Sequence, residues 1–150
     1  MDRNIIISSC FDFIDKKIND IQIAINDADA GIKEETKSSA GDKYETSREM
    51  IQQDLNRYQQ QMKLAVEDKN VLTKILDSKK DDFSKIGLGS IIETQSGIYF
   101  LSISIGVLKI GDKSIFVISP QSPIGKELIG KSVGDSFRFL QKDNSILKIM

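Results

Sequence analysis

Apolar residues recur in alternating steps of four and three along the first part of the chain. The pattern runs through Ile7, Phe11, Ile14, Ile18, Ile21, Ile25, Ala28 and Ile32. Polar and charged residues occupy most of the positions in between. This heptad spacing is typical of a helix that packs along one seam against a partner helix. The first segment is therefore predicted to be a long amphipathic helix.

A second heptad seam follows after a short break. It runs through Ile51, Leu55, Tyr58, Met62, Ala65, Lys69, Leu72 and Leu76, and its apolar stripe is widened by Val66, Val71 and Ile75. Lys69 is the polar member, which we interpret as a snorkelling side chain or a device that fixes register. Between the seams, Ser38, Ser39 and Gly41 are poor helix-interior residues. The two helices are therefore predicted to pair antiparallel, joined at a tip segment of residues 36–46.

After about residue 82 the pattern changes to short β-rich runs separated by glycines. Predicted strands cover 98–105, 107–110, 113–119, 137–140 and 145–149, with turns at 111–112 and 142–144. Ser122, Pro123 and Gly130 have the N-cap, first-turn and stop positions of one short helix. The predicted fold class is α+β. An antiparallel coiled-coil hairpin, residues 1–80, precedes a small antiparallel sheet domain with one short helix, residues 85–150.

Composition excludes several classes of chemistry. Cys10 is the only cysteine and there is no histidine, so intrachain disulfides, cysteine-based zinc clusters and histidine-dependent catalysis are excluded. A net charge of −1 argues against general binding of nucleic-acid phosphates. No apolar run is long enough for a membrane span, and the first residues lack the pattern of a signal peptide. We expect a cytoplasmic protein without membrane contact.

The tip segment carries the candidate chemistry. Asp42 and Glu45 have the spacing of a capping box, in which both side chains would bond to the first turn of the second helix. They could equally project into a partner and share a Mg²⁺ ion with its groups, since carboxylates are ligands for hard cations. Lys37, Lys43 and Arg48 flank them as a solvated turn or as contacts for phosphate or acidic groups.

A family resemblance rests on the C-terminal half. The run Ser122-Pro123-Ile124-Gly125-Lys126-Glu127-Leu128-Ile129-Gly130-Lys131, followed by Val133-Gly134-Asp135, resembles the C-terminal signature of Gre-type bacterial transcription elongation factors. Gly41-Asp42 with Glu45 also keeps the spacing that this family has at its tip. The resemblance implies an FKBP-like C-terminal domain. It also implies a hairpin that enters the secondary channel of RNA polymerase, where tip carboxylates help the polymerase to cleave its own backtracked transcript.

The resemblance assigns roles residue by residue. Asp42 and Glu45 would be the catalytic and metal-binding residues, sharing Mg²⁺ supplied at the polymerase active site, with no cofactor of the chain's own. The partner contacts it implies are Lys43, Tyr44, Arg48, Ser122, Pro123, Ile124 and Lys126. The partners would be bacterial RNA polymerase and, indirectly, nascent RNA. The chain itself would be a monomer that stimulates the nuclease activity of the polymerase without being an enzyme.

Three alternatives stay open. Tyr44 precedes Glu45 instead of following it, which is compatible with a regulator that occupies the channel without promoting cleavage. An FKBP-like domain also makes a prolyl isomerase or chaperone possible, with a pocket drawn from its aromatic residues Tyr99, Phe100, Phe116, Phe137 and Phe139. A plain structural coiled coil would explain the hairpin but not the second domain.

Overall fold

The computed structural model describes residues 2–37, 42–79 and 82–150, and for residues 35–37 and 42–45 it describes the backbone alone. In chain order the elements are α1 (Arg3–Lys37), α2 (Asp42–Asp77), β1 (Ile91–Thr94), β2 (Gly97–Leu101), β3 (Gly106–Ile110), β4 (Lys113–Ile118), α3 (Pro123–Leu128), β5 (Ser136–Phe139) and β6 (Lys142–Ile149). Two long helices followed by a sheet with one short helix confirm the predicted fold class. No helix in the described ranges is long and apolar enough to cross a membrane.

The chain divides into two compact units. A helical unit spans Ile14–Lys69, and a sheet unit combines Met1–Phe13 with Asn70–Met150. The sheet unit includes the first turns of α1 and the last turns of α2. Within it, the Arg3 guanidinium donates a hydrogen bond to the carbonyl of Gly89, in the loop before β1. The bounds 1–80 and 85–150, which follow the change in sequence pattern, remain a prediction.

In the helical unit, several seam positions of the heptads are fully buried and the others are half-buried. Ile14 and Ile21 on α1 are 1% and 7% exposed, and Leu55 and Ala65 on α2 are 7% and 1% exposed. Burial of alternating seam positions on both helices is what an antiparallel self-paired hairpin requires, because neither helix is stable without a partner for its seam.

The polar seam position is explained by an ion pair between the helices. The Lys69 ammonium lies 2.6 Å from a carboxylate oxygen of Asp15, with both side chains about half exposed. A charged pair at one level of an otherwise apolar seam disfavours neighbouring registers, in which the ammonium would face apolar side chains. This supports the interpretation of Lys69 as a register device.

The second seam departs from its prediction near the end of α2. Leu76 is 52% exposed, whereas its neighbour Ile75 is only 2% exposed. The reason is that Ile75 packs against the loop before β1, where its side chain lies 3.1 Å from the position of a Cβ on Gly89. Of the residues expected to widen the stripe, Val66 is 42% exposed and only Ile75 is fully buried.

The sheet is mixed, and its six strands lie in the order β3-β4-β2-β1-β6-β5. Every neighbouring pair is antiparallel except β2 and β4, which run parallel with Ile98 opposite Ile115. The expected purely antiparallel sheet is therefore corrected at this one pair. The physical reason is that β3 lies outside β4, so the β3–β4 hairpin returns the chain to β2 in the same direction.

Three strand predictions also change. β1 was not predicted, because Ile91 and Ile92 are both fully buried and so give no alternation of polar and apolar residues. The strand expected at 98–105 ends at Leu101. The last hairpin turns at Leu140 and Gln141 and not at 142–144, since Phe139 pairs with Lys142 across the strands.

The core of the sheet unit lies beneath α3. Its buried members are Ile86, Ile92, Tyr99, Leu101, Ile124, Leu128, Phe137, Ile146 and Ile149. Neighbouring positions on the same strands, such as Ile91, Phe100 and Ile115, point to the opposite face and are also fully buried. The sheet is thus covered on both faces.

Candidate functional site

The tip carboxylates lie at the start of α2. The helix begins at Asp42, so Asp42 and Glu45 both fall in its first turn. Positions three apart share one face of a helix, and the helix macrodipole favours acidic residues at this end. The side chains of Asp42, Lys43, Tyr44 and Glu45, and residues 38–41 altogether, lie outside the described residues. The catalytic, metal-binding and contact roles assigned to these four positions stay predictions.

The described side chains around the tip are solvent-facing. Arg48 is exposed on α2, one helical turn after Tyr44, and Glu34 is exposed near the end of α1. Among the residues whose side chains are described, no group of three histidine, cysteine, aspartate or glutamate residues could hold a metal ion.

The second candidate region is α3 with its flanking turns, residues 119–135. Ser122 caps α3: its hydroxyl accepts a hydrogen bond from the amide of Gly125 at 3.1 Å and donates one to the carbonyl of Ser119 at 2.6 Å. Pro123 follows in the first turn of the helix, where a missing N–H costs nothing. Both expectations for the start of this helix are confirmed.

Gly125 is required by close packing against the backbone. A Cβ at this position would lie 2.1 Å from the carbonyl oxygen of Ser119 and 3.0 Å from Cα of Pro120. The absence of a side chain lets the turn fold tightly enough for Ser122 to cap α3. It also lets Ile124 and Leu128 reach the core, where they are 6% and 0% exposed.

The end of the motif is held by backbone pairing. Gly130 has a φ of +82°, and its amide donates to the carbonyl of Ile86 at 2.8 Å, while the amide of Ile86 donates to the carbonyl of Lys131 at 2.8 Å. The carboxylate of Asp135 accepts from the amide of Ser132 at 2.8 Å. Many of the residues that carry the family resemblance therefore have a structural role in building α3 and its two turns.

The predicted partner contacts in this motif differ in accessibility. Pro123 and Lys126 are exposed, whereas Ile124 is buried and the Ser122 hydroxyl is already engaged in the cap. Their role toward a partner stays a prediction, and Pro123 and Lys126 are the two that present side chains to solvent. Ile129, which the sequence did not single out, is 48% exposed beside them.

A groove lies between the two helices of the helical unit, and the sequence did not predict it. Its volume is about 320 Å³, and it is lined by Ala24, Asp27, Ala28, Ile51, Asp54 and Tyr58. The sequence feature that could have indicated this groove is the presence of alanines on α1, whose small side chains leave space opposite Tyr58. Arg57 already engages two of the lining groups: its guanidinium lies 3.1 Å from Asp54 and 5.3 Å from the ring centroid of Tyr58.

Three titratable groups among the described residues of α1 and α2 have shifted pKa values, and burial lowers the pKa of the first of them, the Arg3 guanidinium. Burial raises the pKa of the Cys10 thiol to about 12, which keeps it neutral and unreactive at neutral pH. Partial desolvation raises the pKa of the Asp68 carboxyl, while the charge of Lys17 opposes the shift. Cys10 therefore acts as a small apolar residue, as expected from the sequence.

Three of the five aromatic residues named for an isomerase pocket, Tyr99, Phe100 and Phe137, are buried. Tyr99 and Phe137 are 7% and 4% exposed and belong to the core beneath α3. Tyr99 stacks on Phe116 with ring centroids 5.2 Å apart, and Phe100 is fully buried on the opposite face. This packing counts against the prolyl isomerase alternative, which needs accessible aromatic side chains.

Comparison with known proteins gives structural neighbours only. No protein-family model and no curated protein sequence matches the chain. Similar solved structures include GreA factor homolog 1 (Gfh1) of Thermus thermophilus, with 18% identity over 93% of this chain and 94% of that chain and a TM-score of 0.35. A structure titled transcription factor Gfh1 has 21% identity over 93% and 92% of the two chains and a TM-score of 0.36.

Gfh1 of Thermus aquaticus gives the same result, with 19% identity over 93% of this chain and 92% of that chain and a TM-score of 0.32. The neighbours found are of the kind that the predicted resemblance to a Gre-type factor names, and they match along nearly the whole chain.

Proposed function

We propose that this protein is a Gre-type transcription factor that binds RNA polymerase. Its hairpin would enter the secondary channel, with Asp42 and Glu45 assisting Mg²⁺-dependent cleavage of backtracked RNA. The observation that carries the proposal is that α2 begins at Asp42. Both carboxylate positions thereby fall on one face of the first helical turn, at the turn of a self-paired hairpin.

In this proposal, the chain itself supplies only a few of the groups that the cleavage reaction needs. Bound Mg²⁺ would activate a water and stabilise the negative charge that develops on the phosphodiester. Asp42 and Glu45 would supply oxygen ligands to a shared ion and orient the attacking water, and the polymerase would supply the remaining ligands and the substrate. The protein would then be a factor that stimulates a nuclease and not a nuclease.

Such a role needs a tip whose position along the hairpin is fixed. A slip of one heptad between the helices would move one side of the tip by about 10 Å, which is far more than catalysis tolerates. The ion pair of Lys69 with Asp15 opposes such a slip, because a shift of one heptad would move the two charges apart. This contact supports the proposal by fixing the register.

The test is transcript cleavage in a reconstituted, backtracked elongation complex. We expect the wild-type protein to accelerate release of short 3′ RNA fragments, and the double variant Asp42→Asn with Glu45→Gln to lose this effect while still binding polymerase. Glu34→Gln with Glu49→Gln is the matched control, because it removes two exposed carboxylates near the tip without touching the predicted pair. Equal stimulation by the double variant and the wild type would contradict the carboxylate role.

The second candidate is a polymerase-binding regulator without cleavage activity. It is favoured by the order of residues at the tip, where Tyr44 precedes Glu45 and Thr46 follows it. In the same assay, this regulator would bind polymerase and compete with an active Gre-type factor, yet release no RNA in either the wild-type or the variant form.

A further inference from the structure

The groove between α1 and α2 has the size and the kind of lining that small-ligand sites have. Its volume of about 320 Å³ lies at the lower end of the usual range for such sites, about 300–1,000 Å³. The lining combines apolar side chains with a small number of polar groups, namely Ala24, Asp27, Ala28, Ile51, Asp54 and Tyr58. A groove of this size suits a compact ligand and not an extended one.

Two carboxylates line the groove, one from each helix. Asp27 is exposed on α1, and Asp54 is half-buried on α2. The methyl groups of Ala24 and Ala28, four positions apart on one face of α1, provide apolar surface beside them, together with Ile51. This lining suits a ligand that has positive charge at its ends and an apolar middle.

The charge along this part of α1 is entirely negative. Residues 18–32 contain three aspartates, Asp20, Asp27 and Asp29, and no lysine or arginine. Asp20 is paired with Lys16 at 2.8 Å, whereas no ion pair of Asp27 is formed within the described part of the chain. An uncompensated carboxylate on the wall of a groove attracts cations.

Arg57 shows how an organic cation lies against this wall. Its guanidinium lies 3.1 Å from one carboxylate oxygen of Asp54 and 5.3 Å from the ring centroid of Tyr58. The second distance is within the range of a cation–π interaction. Because an ionised carboxylate accepts several hydrogen bonds, Asp54 can bind a further donor beside Arg57.

A metal ion does not suit the same lining. Mg²⁺ and Ca²⁺ take about six or more oxygen ligands, whereas alanine and isoleucine side chains supply none. No group of three histidine, cysteine, aspartate or glutamate residues that could hold a metal ion occurs among the side chains that the structure describes. The chemistry of the groove therefore points to an organic cation.

We propose that the groove binds a linear diamine, the simplest member of the polyamine class. One ammonium group donates hydrogen bonds to Asp27 and the other to Asp54, while the methylene chain lies on the apolar side chains of the two helices. The site goes beyond the proposed function, since it uses no residue of the tip segment or of α3 and needs no partner protein.

The test is isothermal titration calorimetry of the purified protein with putrescine. We expect saturable one-to-one binding with a Kd of about 1 mM, which is reasonable for so small a ligand. Asp27→Asn with Asp54→Asn should weaken binding at least about tenfold, because both charge-assisted hydrogen bonds are lost. Asp20→Asn with Asp29→Asn is the matched control: it removes the same charge from α1 outside the groove and should stay within about twofold of wild type.

A further variant tests the shape of the groove without changing its charge. Ala24→Leu fills the groove with a residue that also favours helix, and it should weaken putrescine binding about tenfold while circular dichroism shows unchanged helix content. If the aspartate variant does not fold, this variant decides. Wild-type affinity in Ala24→Leu, equal weakening by the two aspartate pairs, full displacement of putrescine by Mg²⁺ at equal ionic strength, or no saturable binding to the wild type would each overturn the proposal.

Discussion

Replacing Gly125 by alanine is expected to disrupt the motif that carries the family resemblance. The added Cβ would lie 2.1 Å from the carbonyl oxygen of Ser119 and 2.9 Å from the hydroxyl oxygen of Ser122. Both atoms take part in the capping of α3, and the first belongs to the backbone. The clash cannot be relieved by rotation of a flexible side chain, so the turn before α3 must open.

The magnitude follows from the contacts that are lost. Overpacking of a tight site costs about 1–3 kcal/mol, and loss of a serine N-cap costs about 1 kcal/mol. The sum, about 2–4 kcal/mol, is a large share of the free energy of unfolding of an ordinary domain, which is about 5–15 kcal/mol. Opening of the turn would also withdraw Ile124 and Leu128 from the core, which makes this sum a lower bound.

Urea denaturation followed by circular dichroism measures the effect. Two variants serve as controls: Ser122→Ala removes only the cap and should cost about 1 kcal/mol, and Lys126→Ala, at an exposed position, should stay within about 0.5 kcal/mol of wild type. If the free energy of unfolding of Gly125→Ala lies within about 0.5 kcal/mol of the wild-type value, the structural explanation of the motif is wrong.

The hairpin and its cysteine provide two further tests. A double-mutant cycle of Asp15→Ala and Lys69→Ala, followed by thermal unfolding, should give a coupling energy of about 0.2–1 kcal/mol, because the ion pair is half exposed. A coupling energy of zero would contradict the role of this ion pair in fixing the register of the two helices. With a pKa of about 12, roughly one Cys10 thiol in ten thousand is ionised at pH 8. Iodoacetamide should therefore modify Cys10 slowly in the native protein, tenfold faster for each added pH unit, and rapidly in urea, whereas equal native and denatured rates would contradict its burial.

The sequence predicted the helices well because their pattern is local and periodic. Each heptad seam places its apolar residues on one face whatever the rest of the chain does, and burial of Ile14, Ile21 and Leu55 confirms this. The prediction was wrong at Leu76, where the neighbour of α2 changes from another helix to the loop before β1. Ile75 then becomes the buried residue, and no periodic pattern announces that change.

The sheet was harder to predict because its order depends on contacts between distant residues. β1 is buried on both faces and so carries no alternation, and the parallel pairing of β2 with β4 has no local signature. The last turn was misplaced because Lys142, Asp143 and Asn144 have ordinary turn chemistry, whereas the observed turn uses Leu140 and Gln141 against their conformational preference.

The candidate site likewise has features that the sequence predicts and features that only the folded chain reveals. The cap by Ser122, the helix start at Pro123 and the positive φ of Gly130 follow from local rules, and the structure confirms them. The need for glycine at position 125 depends on its distance to the Ser119 carbonyl, which only the folded chain reveals. At the tip, the sequence supplies the spacing of Asp42 and Glu45, and their proposed use by a partner would depend on groups of that partner.

The role proposed for Asp42 and Glu45 is to assist RNA cleavage by RNA polymerase. Its most direct test is the rate of 3′-fragment release from one backtracked complex, measured at saturating wild-type protein and at saturating Asp42→Asn/Glu45→Gln variant. We expect the wild type to accelerate release and the variant to lose at least about 10–100-fold of that rate, because even the loss of outer-shell groups around a metal costs this much. Acceleration by the variant equal to that of the wild type would contradict this role.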